Sequence, residues 1–167
     1  MLGVDPRTDG IAQRRVLLEV FAGSCQLSLA FRRAGAEIEA YDISLSEEQD
    51  FLEDEEFLER LHKDPPWEVV HFAPPGGETG NSALATKVAL AVRMLYQRGH
   101  GFVIECAAAD PFWKVEAISQ LADELPGVDA LGLDMTEFGA QASAQVQLLT
   151  NRGSWLASMS RALPRKP

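Results

Sequence analysis

Hydrophobic and polar positions along this chain follow two different periods. Short apolar runs are followed by longer stretches in which apolar residues recur at every third or fourth position. The first pattern is typical of buried strands, and the second is typical of amphipathic helices. The predicted strands are 15–20, 37–41, 67–72, 101–105, 128–133 and 145–150. The predicted helices are 26–34, 79–98, 112–125 and 154–163, with a further helix inside the acidic segment 46–60.

The alternation of strands and helices predicts an α/β fold. Strands separated by helical stretches of ~10–20 residues are typical of βαβ units with parallel strands, and right-handed crossovers place helices on both faces of the sheet. We therefore expect a Rossmann-like three-layer αβα sandwich with a mostly parallel sheet, in which the last strand is the candidate for an antiparallel one. The expected organisation is an N-terminal extension at 1–14, a single domain at 15–163 and a tail at 164–167.

Three unusual loops follow predicted strands: FAGSC, APPGGETG and ECAAADP. Ligands of such sheets bind outside the carboxyl ends of the strands, so we expect these loops to share one site. Gly23 lets a ligand approach the backbone, and Asp42, nineteen positions later, can accept hydrogen bonds from ribose hydroxyls. Because the turn lacks the G-x-G-x-x-G pattern of a dinucleotide site, a plain tight turn with a solvated acid stays an alternative to nucleotide binding.

The composition restricts the function classes. A chain of 167 residues that is 46% apolar suits one globular domain, and no apolar stretch reaches the ~18 residues of a membrane span. The net charge of −10 argues against nucleic acid as a partner. Cys25 and Cys106 form no CxxC pair, so we expect no metal site and no disulfide framework. These thiols, and an N-terminus without the apolar region of a secretory signal, predict an intracellular, reducing compartment.

Several stretches resemble one enzyme family and follow its order. The turn FAGS, the helix LSLAFRRAG and the strand ending in YD resemble the first motif of class I S-adenosylmethionine-dependent methyltransferases, and are closest to the DNA cytosine-5 branch. HFAPPGG resembles the Pro-Pro-Cys catalytic loop of that branch, and FVIEC resembles its Glu-Asn motif. DPFW and QVQLLTN resemble later pieces. The resemblance covers residues 15–156 and implies a methyltransferase-like fold with S-adenosylmethionine as the candidate cofactor.

The resemblance also implies eight cofactor-binding residues, which lie at the ends of predicted strands or in the loops that follow. They are Phe21, Ala22 and Gly23 on the methionine side, Asp42 at the ribose, Ile43, Asp50 and Phe51 around the adenine, and Pro74 closing the pocket from the next strand. Core packing is the structural alternative for Phe21 and Ile43. A solvated acid is the favoured interpretation of Asp50.

The catalytic part of the pattern is degenerate. Cytosine C5 methylation needs a thiolate that adds to the ring, and the resemblance places that thiol at Gly76, which has no side chain. Glu105 takes the place of the carboxylate that contacts the target base, and Cys106 replaces the Asn after it. Both stay candidate catalytic residues, although a buried structural thiol is the favoured interpretation of Cys106, since no His or Lys adjoins it. Neutral glutamines in QVQLLTN stand where arginines are usual, and we expect no target-recognition region.

Three hypotheses follow. The preferred one is a catalytically inactive methyltransferase-like domain that serves as a structural or interaction subunit of a larger protein assembly, with or without bound S-adenosylmethionine. The alternative is an active methyltransferase that transfers the methyl group directly to a nitrogen or oxygen acceptor, because direct transfer needs proximity and orientation but no enzyme thiol. The least supported is a DNA cytosine-5 methyltransferase whose nucleophile lies elsewhere.

Overall fold

The computed structural model describes residues 17–63, 67–76, 82–138 and 144–153. Within these ranges, the strands lie close to their predicted positions. They are β1 (Leu17–Val20), β2 (Ile38–Tyr41), β3 (Val69–Phe72), β4 (Gly101–Ala107), β5 (Asp129–Asp134) and β6 (Gln145–Thr150). The predicted closing helix at 154–163 and the predicted extension and tail at 1–14 and 164–167 lie outside the described residues.

The helices of the described residues lie between these strands. The α-helices are α1 (Gln26–Arg33), α2 (Glu55–His62), α3 (Ser82–Gln97), α4 (Glu116–Ser119) and α5 (Leu121–Glu124), and the 3₁₀ turns are Glu47–Gln49, Pro111–Lys114 and Met135–Phe138. The predictions of α1, of α3 and of a helix inside the acidic segment are confirmed. In the described part of the chain, none of the helices has both the length and the apolar character that a membrane crossing requires.

The prediction of one continuous helix over 112–125 is wrong. The side chain of Asp110 accepts the backbone N–H of Phe112 at 2.9 Å and starts a 3₁₀ turn instead. Val115 is then extended, with φ −65° and ψ 126°, which interrupts the helical backbone before α4 begins. The helical spacing in the sequence arises because short turns bury their apolar residues against the same core. These buried residues are Phe112, Ile118, Leu121 and Leu125.

The six strands form one sheet in the order β2-β1-β3-β4-β6-β5. β1 is parallel to β2 and to β3, and β3 is parallel to β4. β6 is antiparallel to both of its neighbours, β4 and β5. The predicted Rossmann-like sheet, mostly parallel and with an antiparallel last strand, is therefore confirmed.

Different helices cover the two faces of the sheet. Alternate strand residues, among them Leu18, Val70 and Phe102, are fully buried in one hydrophobic core. Apolar residues of α2, α3, α4 and α5 belong to the same core, so these helices cover the first face. The intervening strand residues, which include Glu19 and His71, point to the second face, where α1 lies. This arrangement is the predicted three-layer sandwich.

The start of α1 is held by a carboxylate from β1. Cys25, at the N-cap position, makes no side-chain capping bond. Glu19, which is 5% exposed, accepts the backbone N–H of Ser28 at 2.9 Å, and the Ser28 hydroxyl donates to the same carboxylate oxygen. An unpaired N–H of the first helical turn is thus satisfied from the sheet, and a negative charge at the helix N-terminus is favourable. The contact fixes α1 on β1 and positions the loop between them.

Candidate cofactor and acceptor site

The sheet order places a topological switch point at β1, because β2 lies on one side of β1 and β3 lies on the other. Ligands of such sheets bind outside the carboxyl ends of the strands at this point. A cleft of about 450 Å³ lies there. Its lining residues are Phe21, Gly23, Asp42, Ile43, Gln49, Asp50, Phe51, Leu52, Ala73, Pro75 and Leu84.

The cleft brings together most of the residues that the sequence suggested for the cofactor. Six of the eight line it: Phe21, Gly23, Asp42, Ile43, Asp50 and Phe51. Ala22 and Pro74 are buried next to lining residues, and Pro75 rather than Pro74 faces the cleft. A larger groove of about 950 Å³ runs between α1 and β2, but none of the eight residues lines it. The smaller cleft is therefore the candidate cofactor site.

The turn from β1 to α1 has a left-handed backbone at Phe21 (φ 63°), Gly23 (φ 47°) and Cys25 (φ 54°). Glycine adopts this region without steric cost, but a bulky residue does not. Phe21 is held there because its N–H donates to the carbonyl of Tyr41 at 2.9 Å and its ring packs edge-on against Phe51, with the centroids 5.0 Å apart. Backbone strain of this kind is typical of binding sites.

Asp42, just after β2, contacts this turn. One carboxylate oxygen accepts the backbone N–H of Gly23 at 2.9 Å, and the other accepts the backbone N–H of Ser44 at 2.7 Å. Burial raises the pKa of Asp42, but the hydrogen bonds from Ser44 and Gly23 outweigh that effect and hold its pKa below the ordinary value of 3.8. The carboxylate is thus ionised near neutral pH and keeps acceptor capacity for the hydroxyl groups of a ligand.

Residues 49–52 form one wall of the cleft. Ile43 is 56% exposed, so core packing does not account for its position in the cleft. Asp50 accepts the backbone N–H of Leu52 at 2.9 Å and thereby stabilises a turn. Phe51 is only 3% exposed and joins the cleft to the hydrophobic core. The rings that pack against it belong to Phe21, Phe57 and Phe72.

Lys87 of α3 contacts this wall without lining the cleft itself. Its ammonium group donates to the carbonyl oxygens of Leu52 and Asp54, at 2.9 Å each. The same ammonium group lies 5.5 Å from the centroid of the Phe51 ring, within the range of a cation–π contact. A single side chain therefore contacts the Phe51 ring, the carbonyl of Leu52 and the carbonyl of Asp54 just after the wall.

The diproline loop after β3 is tied to the end of β1, since the N–H of Ala73 donates to the carbonyl of Val20 at 3.1 Å. Gly76 is exposed at the end of the described part of this loop. A Cβ atom placed on Gly76 would lie 2.7 Å from a carboxylate oxygen of Asp110. The space beside residue 76 therefore contains a carboxylate, and no thiol is present at this position.

The carboxyl end of β4 carries the two candidate catalytic residues, Glu105 and Cys106. Nε2 of His71, on the neighbouring strand β3, lies 3.0 Å from Oε2 of Glu105. The hydrogen bond from His71 lowers the pKa of Glu105 by more than burial raises it. Cys106 is 8% exposed, and burial together with the nearby charge of Asp110 raises its pKa to about 11. A thiol with this pKa is neutral at physiological pH and is a poor nucleophile.

Sequence reasoning missed His71 and Lys87. Their partners lie thirty or more positions away along the chain, so no local pattern could reveal the contacts. The apolar run that predicts the strand 67–72 placed His71 in the sheet, but its partner depends on the register of β3 with β4. Among the described residues, no group of three or more His, Cys, Asp and Glu side chains is arranged to hold a metal ion.

Comparison of the structure with solved structures relates this architecture to enzymes. It is similar to the release factor-specific protein-(glutamine-N5) methyltransferase of Alicyclobacillus acidocaldarius, with a TM-score of 0.54 and 18% identity over 84% of this chain and 82% of that chain. This chain has the class I methyltransferase fold. A methyltransferase of Entamoeba histolytica matches with a TM-score of 0.48 and 15% identity, over 83% of this chain and 53% of that one. No protein-family model and no curated protein sequence matches this chain.

Proposed function

We propose that this chain binds S-adenosylmethionine in the cleft at the switch point and transfers its methyl group directly to a nitrogen or oxygen acceptor. The observation that carries the proposal is the cleft itself, which is open and is lined by six of the eight residues suggested for this cofactor. When bound, S-adenosylmethionine supplies a methyl group on a positively charged sulfur. The methyltransferase fold agrees with this cofactor.

The residues of the cleft fit the chemical groups of the cofactor. Asp42 is an ionised acceptor for the two ribose hydroxyls, and its carboxylate is already oriented by Gly23 and Ser44. Ile43 offers an exposed apolar surface to the adenine ring. Asp42 and Asp50 are carboxylates, and no Lys or Arg is among the described residues that line the cleft, so a cationic ligand is favoured over an anionic one.

Direct transfer agrees with the absence of an activated thiol from this part of the described structure. Gly76 has no side chain, and Cys106 is buried with a raised pKa. A covalent cytosine adduct therefore has no nucleophile at either position. Transfer to an acceptor that already carries a lone pair needs only proximity and orientation. A nitrogen in a protein is the acceptor that the name of the first structural neighbour gives for that enzyme, and a protein or small-molecule acceptor is proposed here.

A second candidate function is a methyltransferase-like domain that has no activity and serves as an interaction subunit. The observation that favours it is the exposed acidic surface of α2. Glu55, Glu56 and Glu59 are all exposed there, and the net charge of the chain is −10. Such a surface suits a basic partner protein. Binding of the cofactor is compatible with both candidates, so methyl transfer distinguishes them.

The test is transfer of a radiolabelled methyl group to a mixture of basic peptides, a mixture of small amines and alcohols, and duplex DNA. Incorporation into one acceptor class that disappears in Asp42→Ala and persists in Asp123→Ala supports the enzyme. Asp123 is the control because its side chain is exposed on α5, away from the cleft. Cofactor binding without incorporation into any acceptor supports the interaction subunit. Incorporation into DNA cytosine would contradict both candidates.

A further inference from the structure

An open groove lies between α2 and α3, on the helical layer that covers the first face of the sheet. Its volume is about 470 Å³. Its lining residues are Leu58, Ser82, Ala83, Thr86, Lys87 and Leu90. None of these residues lines the cofactor cleft, so the groove is a separate feature of the described surface.

The α3 side of the groove is an exposed, largely apolar stripe. Ala83, Thr86 and Leu90 are three and four positions apart, so they share one face of the helix, and all three are exposed. Leu90 is 45% exposed. The Thr86 hydroxyl donates to the carbonyl of Ser82 at 2.6 Å, so its polar group is satisfied inside the helix. The partly buried Leu58 continues the apolar surface on α2. Apolar patches with a polar rim mark interaction sites.

The α2 side of the groove is acidic. Residues 53–63 contain five acidic residues and two basic ones, Arg60 and Lys63, so the segment has a net charge of −3 with histidine neutral. Both basic side chains already form ion pairs with glutamates. Glu55 is exposed and lies three positions before Leu58, so it borders the groove on the same face of α2.

Lys87 is the cation among the lining residues. Its ammonium group donates to the carbonyl oxygens of Leu52 and Asp54, at 2.9 Å each. The charge is therefore engaged with the end of the cleft wall, while the aliphatic stem lines the groove. An apolar surface with an acidic border is complementary to a partner that has an apolar face and basic flanks.

The walls of the groove also determine which secondary structure the partner needs. Both walls are helices, whose backbone groups hydrogen-bond along their own helix, so the groove offers no strand edge to an extended segment. A segment that covers it has to satisfy its own backbone N–H and C=O groups, as a helix does. Apolar residues of such a helix at positions i, i+3, i+4 and i+7 would form one face against Leu58 and Leu90.

We infer that the groove between α2 and α3 is a docking site for a basic amphipathic helix of a partner protein. This inference rests on the second candidate function, for which it names the surface and the class of partner, and it does not require methyl transfer. The apolar face of the helix packs on Leu58 and Leu90, and its Lys and Arg side chains face the acidic residues of α2. A second copy of this chain fits less well, because each copy has a net charge of −10.

The class of partner is tested with a fluorescent synthetic helix that has Leu at positions i, i+3, i+4 and i+7 and Lys elsewhere. Two control peptides replace every Lys with Gln or with Glu. Fluorescence anisotropy should show saturable binding of the lysine peptide, about tenfold weaker binding of the glutamine peptide through loss of several exposed ion pairs, and no binding of the glutamate peptide. Equal binding of the three peptides, or no binding of the lysine peptide, overturns the inference.

The location of the site is tested with Leu90→Gln and its matched control, Leu29→Gln. Leu29 is 41% exposed on α1 and lies in the groove between α1 and β2. Leu90→Gln should weaken binding of the lysine peptide by about tenfold or more, as for an apolar anchor of an interface, and Leu29→Gln should bind like wild type. Equal affinities of the two variants overturn the assignment to this groove.

The contribution of charge is tested with Glu55→Gln. Its matched control is Glu116→Gln, because Glu116 is exposed on α4 and does not line the groove. Glu55→Gln should weaken binding of the lysine peptide by about threefold, and Glu116→Gln should not change it. Equal affinities would show that the border of α2 does not select the partner. A dimer of the free chain that Leu90→Gln dissociates would assign the groove to a second copy and would also overturn the inference.

Calorimetry with S-adenosylmethionine and the methyl-transfer assay on the same proteins separate this inference from the proposed function. Leu90→Gln should bind the cofactor like wild type, since Leu90 does not line the cleft. If methyl transfer is observed but no peptide binds, the docking site fails and the enzyme stands. If the lysine peptide binds through Leu90 but no acceptor is methylated, the enzyme fails and the docking site stands.

Discussion

A carboxylate oxygen of Asp110 lies where a side chain on Gly76 would have to be, 2.7 Å from the position of a Cβ atom. The same carboxylate caps the 3₁₀ turn after β4 by accepting the N–H of Phe112 at 2.9 Å. Residue 76 thus carries no reactive atom, and a carboxylate from the loop after β4 occupies the space beside it.

Gly76→Cys should therefore lower stability. The new Cβ displaces the Asp110 carboxylate from its cap, and loss of a cap costs about 1 kcal/mol. Urea unfolding of Gly76→Cys measures this cost. In the background of Asp110→Ala, which has already lost the cap and the close contact, the same substitution should cost much less. Equal costs in both backgrounds would show that the two residues are not coupled.

The backbone at Phe21 gives a second prediction. Phe21→Gly and Phe21→Ala both lose the ring contact with Phe51, but only glycine adopts φ 63° without steric cost. Phe21→Gly should accordingly be more stable than Phe21→Ala by about 1 kcal/mol, the reverse of the usual order. Thermal unfolding of the two variants decides the matter. A more stable alanine variant would mean that the turn is not left-handed at this residue.

The two cysteines should differ in reactivity. The pKa of Cys106 is raised to about 11 by burial and by Asp110, so the folded protein keeps this thiol protonated at pH values where an ordinary thiol ionises. Cys25 is half-buried at the start of α1. Alkylation with iodoacetamide at pH 8–9, followed by peptide mass mapping, should label Cys25 and spare Cys106. In denaturant both should react at similar rates. Fast labelling of Cys106 in the folded protein contradicts its assignment as a structural thiol.

Lys87 should matter for the cofactor although it does not line the cleft. Lys87→Met keeps the aliphatic part of the side chain but removes the bonds to the carbonyls of Leu52 and Asp54. We expect a loss of about 2 kcal/mol in the free energy of unfolding and weaker binding of S-adenosylmethionine. Lys63→Met is the matched control, because Lys63 is exposed and its ion pair is with Glu59 on the surface of α2. If both variants bind the cofactor like wild type, Lys87 does not support the wall.

Local patterns predicted the elements of the fold well. The bounds of β6 match the prediction at 145–150, because a short apolar strand between polar loops is a local signal. Gly23 and Asp42, which are nineteen positions apart in the sequence, are in direct contact through a hydrogen bond. The prediction of a helix at 112–125 was wrong because Asp110 starts a 3₁₀ turn and Val115 is extended. The periodicity of buried residues does not distinguish a series of short turns from one helix.

Contacts that depend on strand order could not be predicted. The pair of His71 and Glu105 needs β3 beside β4 in a particular register, and the sequence does not specify that register. The contact between Gly76 and Asp110 joins two loops from different strands. The sequence therefore indicated residues that line one cleft, while the contacts among β3, β4 and the loops that follow them became visible only in the structure.

Isothermal titration calorimetry with S-adenosylmethionine tests the central claim most directly. An open cleft with an ionised, oriented Asp42 predicts a dissociation constant in the micromolar range. Asp42→Ala should raise the dissociation constant by about 10- to 100-fold through loss of charge-assisted hydrogen bonds. Asp123→Ala should bind like wild type. The absence of heat at millimolar ligand with a folded protein, or full binding by Asp42→Ala, would contradict the account.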